Sequence, residues 1–168
     1  MKKYTTLLIA LLLVTGASTF AQEKKPQSPP METVGKIGKT DIVINYSSPS
    51  VKEREIFGEL VPFDKIWRAG ANEATTISFS NDVTINGEQL KAGTYSFFVL
   101  PKKGEKWDII FNSEAKQWGA YKLDRDKDAL VIASKTTKMD KVEQLTYSIE
   151  GNFIYLDWDT TRLVIKVN

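Results

Sequence analysis

Thr75-Thr76-Ile77-Ser78-Phe79-Ser80-Asn81-Asp82-Val83-Thr84-Ile85-Asn86-Gly87-Glu88-Gln89-Leu90 is the stretch that decides the fold class. Ile77 and Phe79 alternate with Thr76, Ser78 and Ser80, which is the period of a strand with one buried face. Val83 and Ile85 then lead into Asn86-Gly87, and Leu90 comes next. Asn-Gly between two such runs predicts a hairpin, because both residues tolerate the positive φ of a type I′ turn.

The same period continues in both directions. Upstream, Ile42, Ile44 and Tyr46 alternate with Val43 and Asn45. Downstream, Gly93 to Pro101 is apolar on both faces (Tyr95, Phe97, Phe98, Val99, Leu100), as a central strand would be. Trp107, Ile109 and Phe111 form the next run, and Leu130 with Ile132 another. Leu145 to Ile149, Ile154 to Trp158 and Leu163 to Val167 read as a three-strand meander, with turns at Gly151-Asn152 and Asp159-Thr160-Thr161. Helical signals are sparse. Ser113 is placed to cap a short helix over Glu114–Trp118 with Gly119 at its C′ position, and Pro62 to start a helical turn within Leu60–Trp67. The expectation is an all-β single domain, a β-sandwich or barrel of about nine antiparallel strands, with one long packed loop and one or two short helices.

The N-terminus reads differently. Lys2 and Lys3 precede an uncharged apolar core from Leu7 to Val14, and Thr19-Phe20-Ala21 fits a small-x-small cleavage site. This predicts a cleavable signal peptide over residues 1–21, hence an exported protein, periplasmic or secreted. Residues 22–39 are read as a polar leader carrying Pro26, Pro29 and Pro30, and residues 40–168 as the β-rich domain. After residue 21 no segment is long and apolar enough to cross a membrane, which takes about 20 apolar residues. The signal segment holds two of the 23 basic residues and none of the 21 acidic ones, so the remainder carries balanced charge. Balanced charge without a basic stripe argues against a nucleic-acid partner.

Ser48 to Thr75 is a connection far longer than the typical loop of about 4–6 residues. It carries Phe57, Phe63 and Trp67, and so should be packed. Pro49-Ser50-Val51-Lys52, Arg54, Ile56-Phe57-Gly58, Leu60-Val61-Pro62, the run Trp67 to Thr75, Ala92 to Ser96 and Gln117 to Tyr121 together resemble an exported bacterial family, domain of unknown function 2911. The likeness spans about residues 30–167, and Glu53 stands where many relatives carry Gly. The resemblance implies an exported β-rich domain. It implies no activity, cofactor or site residue.

Within Trp67-Arg68-Ala69-Gly70-Ala71-Asn72-Glu73, the polar trio Arg68, Asn72 and Glu73 surrounds three small residues. Small residues admit close approach of a backbone, whether to a ligand or to a neighbouring strand. One reading is a pocket for a small polar ligand, with Arg54, Trp67, Arg68, Asn72, Glu73, Trp118 and Tyr121 as candidate contacts. The other is a loop pinned by an Arg68–Glu73 ion pair and an Asn72 turn, since structural ion pairs produce such clusters too.

No histidine and no cysteine occur, which excludes a Ser–His–Asp hydrolase, a cysteine nucleophile, zinc–thiolate sites and disulfides. Asp124, Asp126 and Asp128 have the alternation of a calcium loop, but Ala129 and Lys135 stand where it needs Gly and Glu, so no metal is expected. No cofactor motif is present. The preferred function is a non-enzymatic binding or interaction module for a small polar ligand or envelope component. Alternatives are a carboxylate-dependent hydrolase of a glycoside or envelope polymer, with Glu73 as base beside Asp64 or Glu59, and a purely structural domain.

Overall fold

The computed structural model describes residues 27–168. The expected signal peptide lies outside the described residues. The chain forms nine strands in order: β1 (Pro30–Ile37), β2 (Thr40–Ser47), β3 (Thr75–Phe79), β4 (Val83–Ile85), β5 (Glu88–Leu90), β6 (Gly93–Leu100), β7 (Lys106–Asn112), β8 (Asp128–Glu150) and β9 (Phe153–Lys166). Seven form one antiparallel sheet in the order β1-β2-β3-β6-β7-β8-β9, curled into a half-barrel, and β4-β5 form a separate hairpin. The hairpin turns at Asn86 and Gly87, with φ of 50° and 102°, as the Asn-Gly signal requires.

The core fills the concavity of the sheet. Ile42, Ile44, Ile77, Phe97, Ile109, Phe111, Ile154, Leu163 and Ile165 are fully buried there, each on the inward alternate of its strand. β6 is buried on its other face as well. Phe98 and Ile110 pack with Ala74 beneath Ile66, Ala120 and Leu123 on the outside of the sheet. This accounts for the two-faced apolar run from Gly93 to Pro101. Full burial of a phenylalanine contributes about 1.5–3 kcal/mol, so the outer loops are held down by more than backbone bonds.

Three sequence expectations are corrected. Residues 30–37, read as part of the polar leader, form β1 and pair with β2 from Pro30↔Ser47 to Ile37↔Thr40. As an edge strand β1 is mostly exposed, with Met31 and Val34 facing out, so its composition resembles a leader. The three-strand meander is a two-strand hairpin: Asp159-Thr160-Thr161 does not end a strand but lies within β9, with Asp159 at φ 53°. There β8 twice sets four residues against two of β9, so the long hairpin bends through bulges rather than turning. Neither Glu114–Trp118 nor Leu60–Trp67 is helical. The one short helix among the described residues is a 3-10 turn at Arg125–Lys127, where the Asp124 carboxylate accepts from the Asp126 N–H.

The long connection, residues 48–74, closes the open side of the half-barrel. Ser50 pairs with Gln144, the Val51 N–H donates to Glu143 O (2.7 Å), and the Leu145 N–H donates to Pro49 O (3.0 Å). Val51, Ile56, Val61 and Ala69 enter the core, and Phe57 and Trp67 pack against it. The loop is therefore packed, as its aromatic residues require.

Candidate functional site

Trp67 is placed by backbone. Its N–H donates to Val99 O (2.7 Å) and its carbonyl accepts from the Val99 N–H (2.8 Å), which extends the sheet beside β6 beyond the start of β3. Its ring stacks on Trp158 of β9, with centroids 5.7 Å apart and planes 19° apart, and meets Phe57 edge-on. The chain then reverses through Ala69 (φ 53°) and Asn72 (φ 58°), two left-handed residues that both carry side chains. Such a conformation needs surrounding structure to hold it. Ala69 O accepts from Tyr147 Oη (2.8 Å) and Thr75 Oγ1 (2.9 Å), and Gly70 O accepts from Trp67 Nε1 (3.1 Å). Burial pushes the Tyr147 phenol well above its ordinary pKa, so it stays a donor.

The small residues serve the neighbouring strand. A Cβ on Gly70 would sit 2.9 Å from Thr75 Oγ1 and 3.1 Å from Ser47 O, and the Ala71 N–H donates to Ser47 O. Asn72 Nδ2 donates to Ser47 Oγ (3.2 Å) and Ser28 O (3.4 Å), joining the turn to the end of β2.

The expected Arg68–Glu73 ion pair does not form. Ala74 N–H donates to Gln117 O, and Glu73 bridges Trp118 through backbone, which leaves the Glu73 carboxylate exposed. Arg68 runs the other way, over Gly119. A Cβ on Gly119 would lie 2.8 Å from Arg68 Nη1 and 2.8 Å from Tyr121 Cε2, so these two atoms are at most twice that distance apart. Gly119 has φ 69° as well, so its C′-type backbone was legible even though no helix precedes it. Among the described residues Arg68 has no carboxylate within ion-pair distance, and its Nε is shielded from solvent with no acceptor.

Two adjoining hollows meet at this side chain. The first, of about 340 Å³, is lined by Lys52, Arg54, Trp67, Arg68 and Trp158 among others. The second, of about 270 Å³, is lined by Leu60, Pro62, Ile66, Arg68, Ala120 and Tyr121 among others. Leu60, Val61, Trp67 and Arg68 belong to both walls, and neither wall holds an Asp or Glu. Arg54 is anchored by its own turn, donating from Nε to Val51 O (2.9 Å) and from Nη2 to Ser50 O.

Four of the sequence candidates, Arg54, Trp67, Arg68 and Tyr121, therefore line one composite recess. Asn72, Glu73 and Trp118 lie outside both walls, as do Asp64 and Glu59, and all five are exposed. Sequence reasoning missed Trp158. It is 1% exposed, yet its indole N–H has no acceptor among the described residues, whereas that of Trp107 donates to Lys102 O (2.8 Å). In the sequence Trp158 reads only as an inward position of a strand.

A larger groove of about 730 Å³ lies beyond Phe57, between Glu55, Lys102, Glu105, Lys138 and Asp159. Its charges alternate in sign, Lys102 is already paired with Asp108 at 2.6 Å, and no shielded polar atom there lacks a partner. The smaller recess is the better-built site. Asp124 and Asp126 lie in an exposed turn instead, and the largely buried Asp128 carboxylate accepts from Asn112 Nδ2 and pairs with Arg125. Among the described residues no helix is long and apolar enough to cross a membrane.

No curated protein and no solved structure matches this chain. One family model does, over residues 28–167, which takes in the nine described strands, the long connection and the linings of both hollows apart from Gln27. The chain belongs to that family, described as protein of unknown function (DUF2911).

Proposed function

We propose that this chain is a non-enzymatic binding module whose small polar ligand sits against Arg68, where the two hollows meet. The observation that carries this is the guanidinium itself, shielded at Nε and without acceptor or counter-ion among the described residues. A buried donor without a partner costs about 1–3 kcal/mol, and a side chain serving only to lock the loop would be paired. The loop is locked by backbone carbonyls of Arg68, Ala69, Gly70 and Ser47, which leaves the Arg68 side chain with no part in the lock. Export belongs to the same proposal, with the ligand an envelope component met after residues 1–21 are removed.

Thermal-shift titration with acetate, hexanoate, hexyl phosphate, glucose, N-acetylglucosamine and the dipeptide Ala-Ala tests the reading. At least one should raise the melting temperature of the protein and leave that of Arg68→Ala unmoved. If every probe fails with the protein, or shifts both proteins equally, the recess is not a binding site. Terminal sequencing of the exported product should begin at Gln22.

A further inference from the structure

We infer that the ligand is an organic oxyanion with an apolar body. Its charged oxygens occupy the hollow of Arg54, Arg68 and Trp158, and its carbon skeleton occupies the adjoining hollow of Leu60, Ile66 and Tyr121. This rests on the binding reading above and narrows it to a chemical class.

Charge is the first argument. Lys52, Arg54 and Arg68 line one hollow and Lys65 joins Arg68 in the other, with no carboxylate in either wall. None of the four forms an ion pair among the described residues; of the two arginines that do not line the recess, Arg125 and Arg162, both are paired. A domain of balanced total charge thus places four cations and no carboxylate in the walls of one recess. The attraction of such a recess for an anion is strengthened by low-dielectric walls.

Hydrogen bonding is the second. Arg68 Nε and Trp158 Nε1 are both shielded donors without acceptors, in side chains that line the same hollow. Neither guanidinium nor indole can accept, so any partner the two share is an acceptor with several lone pairs. Arginine's planar fork suits carboxylate or phosphate oxygens, and charge-assisted bonds are about twice as strong as neutral ones.

A bare inorganic ion would leave the second hollow unfilled. The second hollow adds apolar surface beside Lys65, Trp67 and Arg68: Leu60 and Tyr121 are both exposed, and Val61, Pro62, Ile66 and Ala120 also line it. Small-molecule sites run from about 300 to 1,000 Å³, and the two hollows together fall in that range. A molecule that filled only the cationic half would leave this apolar wall wet.

The test tracks the four indole N–H and the arginine Nε–H resonances of 15N-labelled protein, assigned with Trp158→Phe and Arg68→Lys. Probes are hexanoate, hexyl phosphate, acetate, inorganic phosphate, hexanol and N-acetylglucosamine. Hexanoate or hexyl phosphate should move the Trp158 and Arg68 resonances saturably and leave Trp107 in place. Whichever of the two binds more tightly names the head group. Acetate, inorganic phosphate and hexanol should bind at least tenfold more weakly, and Arg68→Lys or Leu60→Ser should each weaken hexanoate at least tenfold. Hexanol binding as well as hexanoate, or acetate as well as hexanoate, would overturn the inference. Binding of N-acetylglucosamine alone, dependent on Arg68, would sink the oxyanion while the binding reading stands. Binding of no probe at all would sink both.

Discussion

Arg68→Met separates a binding residue from a structural one without any knowledge of the ligand. Methionine keeps an unbranched stem and removes the guanidinium, whose Nη1 lies over Gly119 beside Tyr121. In the ligand-free protein that removal deletes one shielded N–H without an acceptor and breaks no hydrogen bond or ion pair among the described residues. An unsatisfied donor costs about 1–3 kcal/mol, and the side chain is only partly buried, so the low end applies. The expected result is a gain of about 1 kcal/mol in unfolding free energy. For a domain of this size that raises the melting temperature by about 2–4 °C. In urea, with m of about 1–3 kcal/mol/M, the midpoint rises by about 0.3–1 M at constant m. Tryptophan fluorescence suits the measurement, because Trp67, Trp107 and Trp158 all belong to the packed interior. If Arg68 pins the loop, the variant must lose stability. A midpoint lowered by more than about 0.5 kcal/mol equivalent, with m unchanged, refutes the account of Arg68 as a donor held in reserve. A gain fits the general pattern in which functional groups are kept although they lower stability.

The remaining predictions concern the surrounding frame. The Tyr147 pKa is raised in the folded state by burial, so its contribution is fully present below about pH 10 and is lost as pH climbs toward the folded value. Denaturation midpoints should be flat up to about pH 10 and fall above it, while Tyr147→Phe loses about 1 kcal/mol at pH 7 and flattens the alkaline fall. Glu53→Gly should stabilise by up to about 1 kcal/mol in thermal melts, because Lys52 and Glu53 are consecutive left-handed residues (φ 48° and 58°) and neither is glycine. A fall in stability would show that the strain there is imaginary. Gly119→Ala meets Arg68 Nη1 and Tyr121 at 2.8 Å on a backbone of φ 69°, so it should lose about 1–3 kcal/mol and displace both side chains from the recess. Glu73→Gln, with an exposed and unpaired carboxylate, should change stability by less than about 0.5 kcal/mol. A larger loss would reinstate the ion pair.

Much of the fold was legible where one face is buried and the other is not. β2, β3 and β7 announce themselves by period two, and β4-β5 by Asn86-Gly87. Legibility failed where burial is not what makes the strand. β1 shows mostly polar or exposed positions because it is the sheet's edge, and its strand state comes from the register with β2. In β8, residues Lys138 to Gln144 are exposed or half-buried and bulged, so the pattern lapses and one long strand reads as two. The helix expected over Glu114–Trp118 had a good cap and a good stop. Instead Asn112 Oδ1 accepts from the Glu114 N–H and from Gln117 Nε2, and Gln117 O is committed to Ala74. Those side-chain bonds hold the segment against the sheet in place of a helical ladder.

The segment Trp67 to Glu73 was visible as an anomaly, and two readings of it competed, a lock and a site. The lock concerns the main chain, and the proposed site concerns the Arg68 side chain. The lock is made of main-chain groups: the carbonyls of Ala69 and Gly70, the N–H of Ala71 and Ala74, and two left-handed turns at Ala69 and Asn72. Those turns send Arg68 and Glu73, five residues apart, in different directions, so the ion pair that their spacing suggests has no geometry in which to form. Glu73 goes to solvent with its backbone tied to Trp118, and Arg68 goes to the recess. No sequence pattern reports which donors will end without acceptors, because pairing is decided by strands far apart in the chain: Trp158 comes from β9 and Gly119 from the loop after β7. The rigidity of the lock is also what lets the recess remain cationic. A mobile Arg68 would find a carboxylate or water. Held between Gly119 and a turn fixed by Tyr147, it keeps a shielded donor available, and preorganisation of that kind lowers what a ligand must spend on ordering its site.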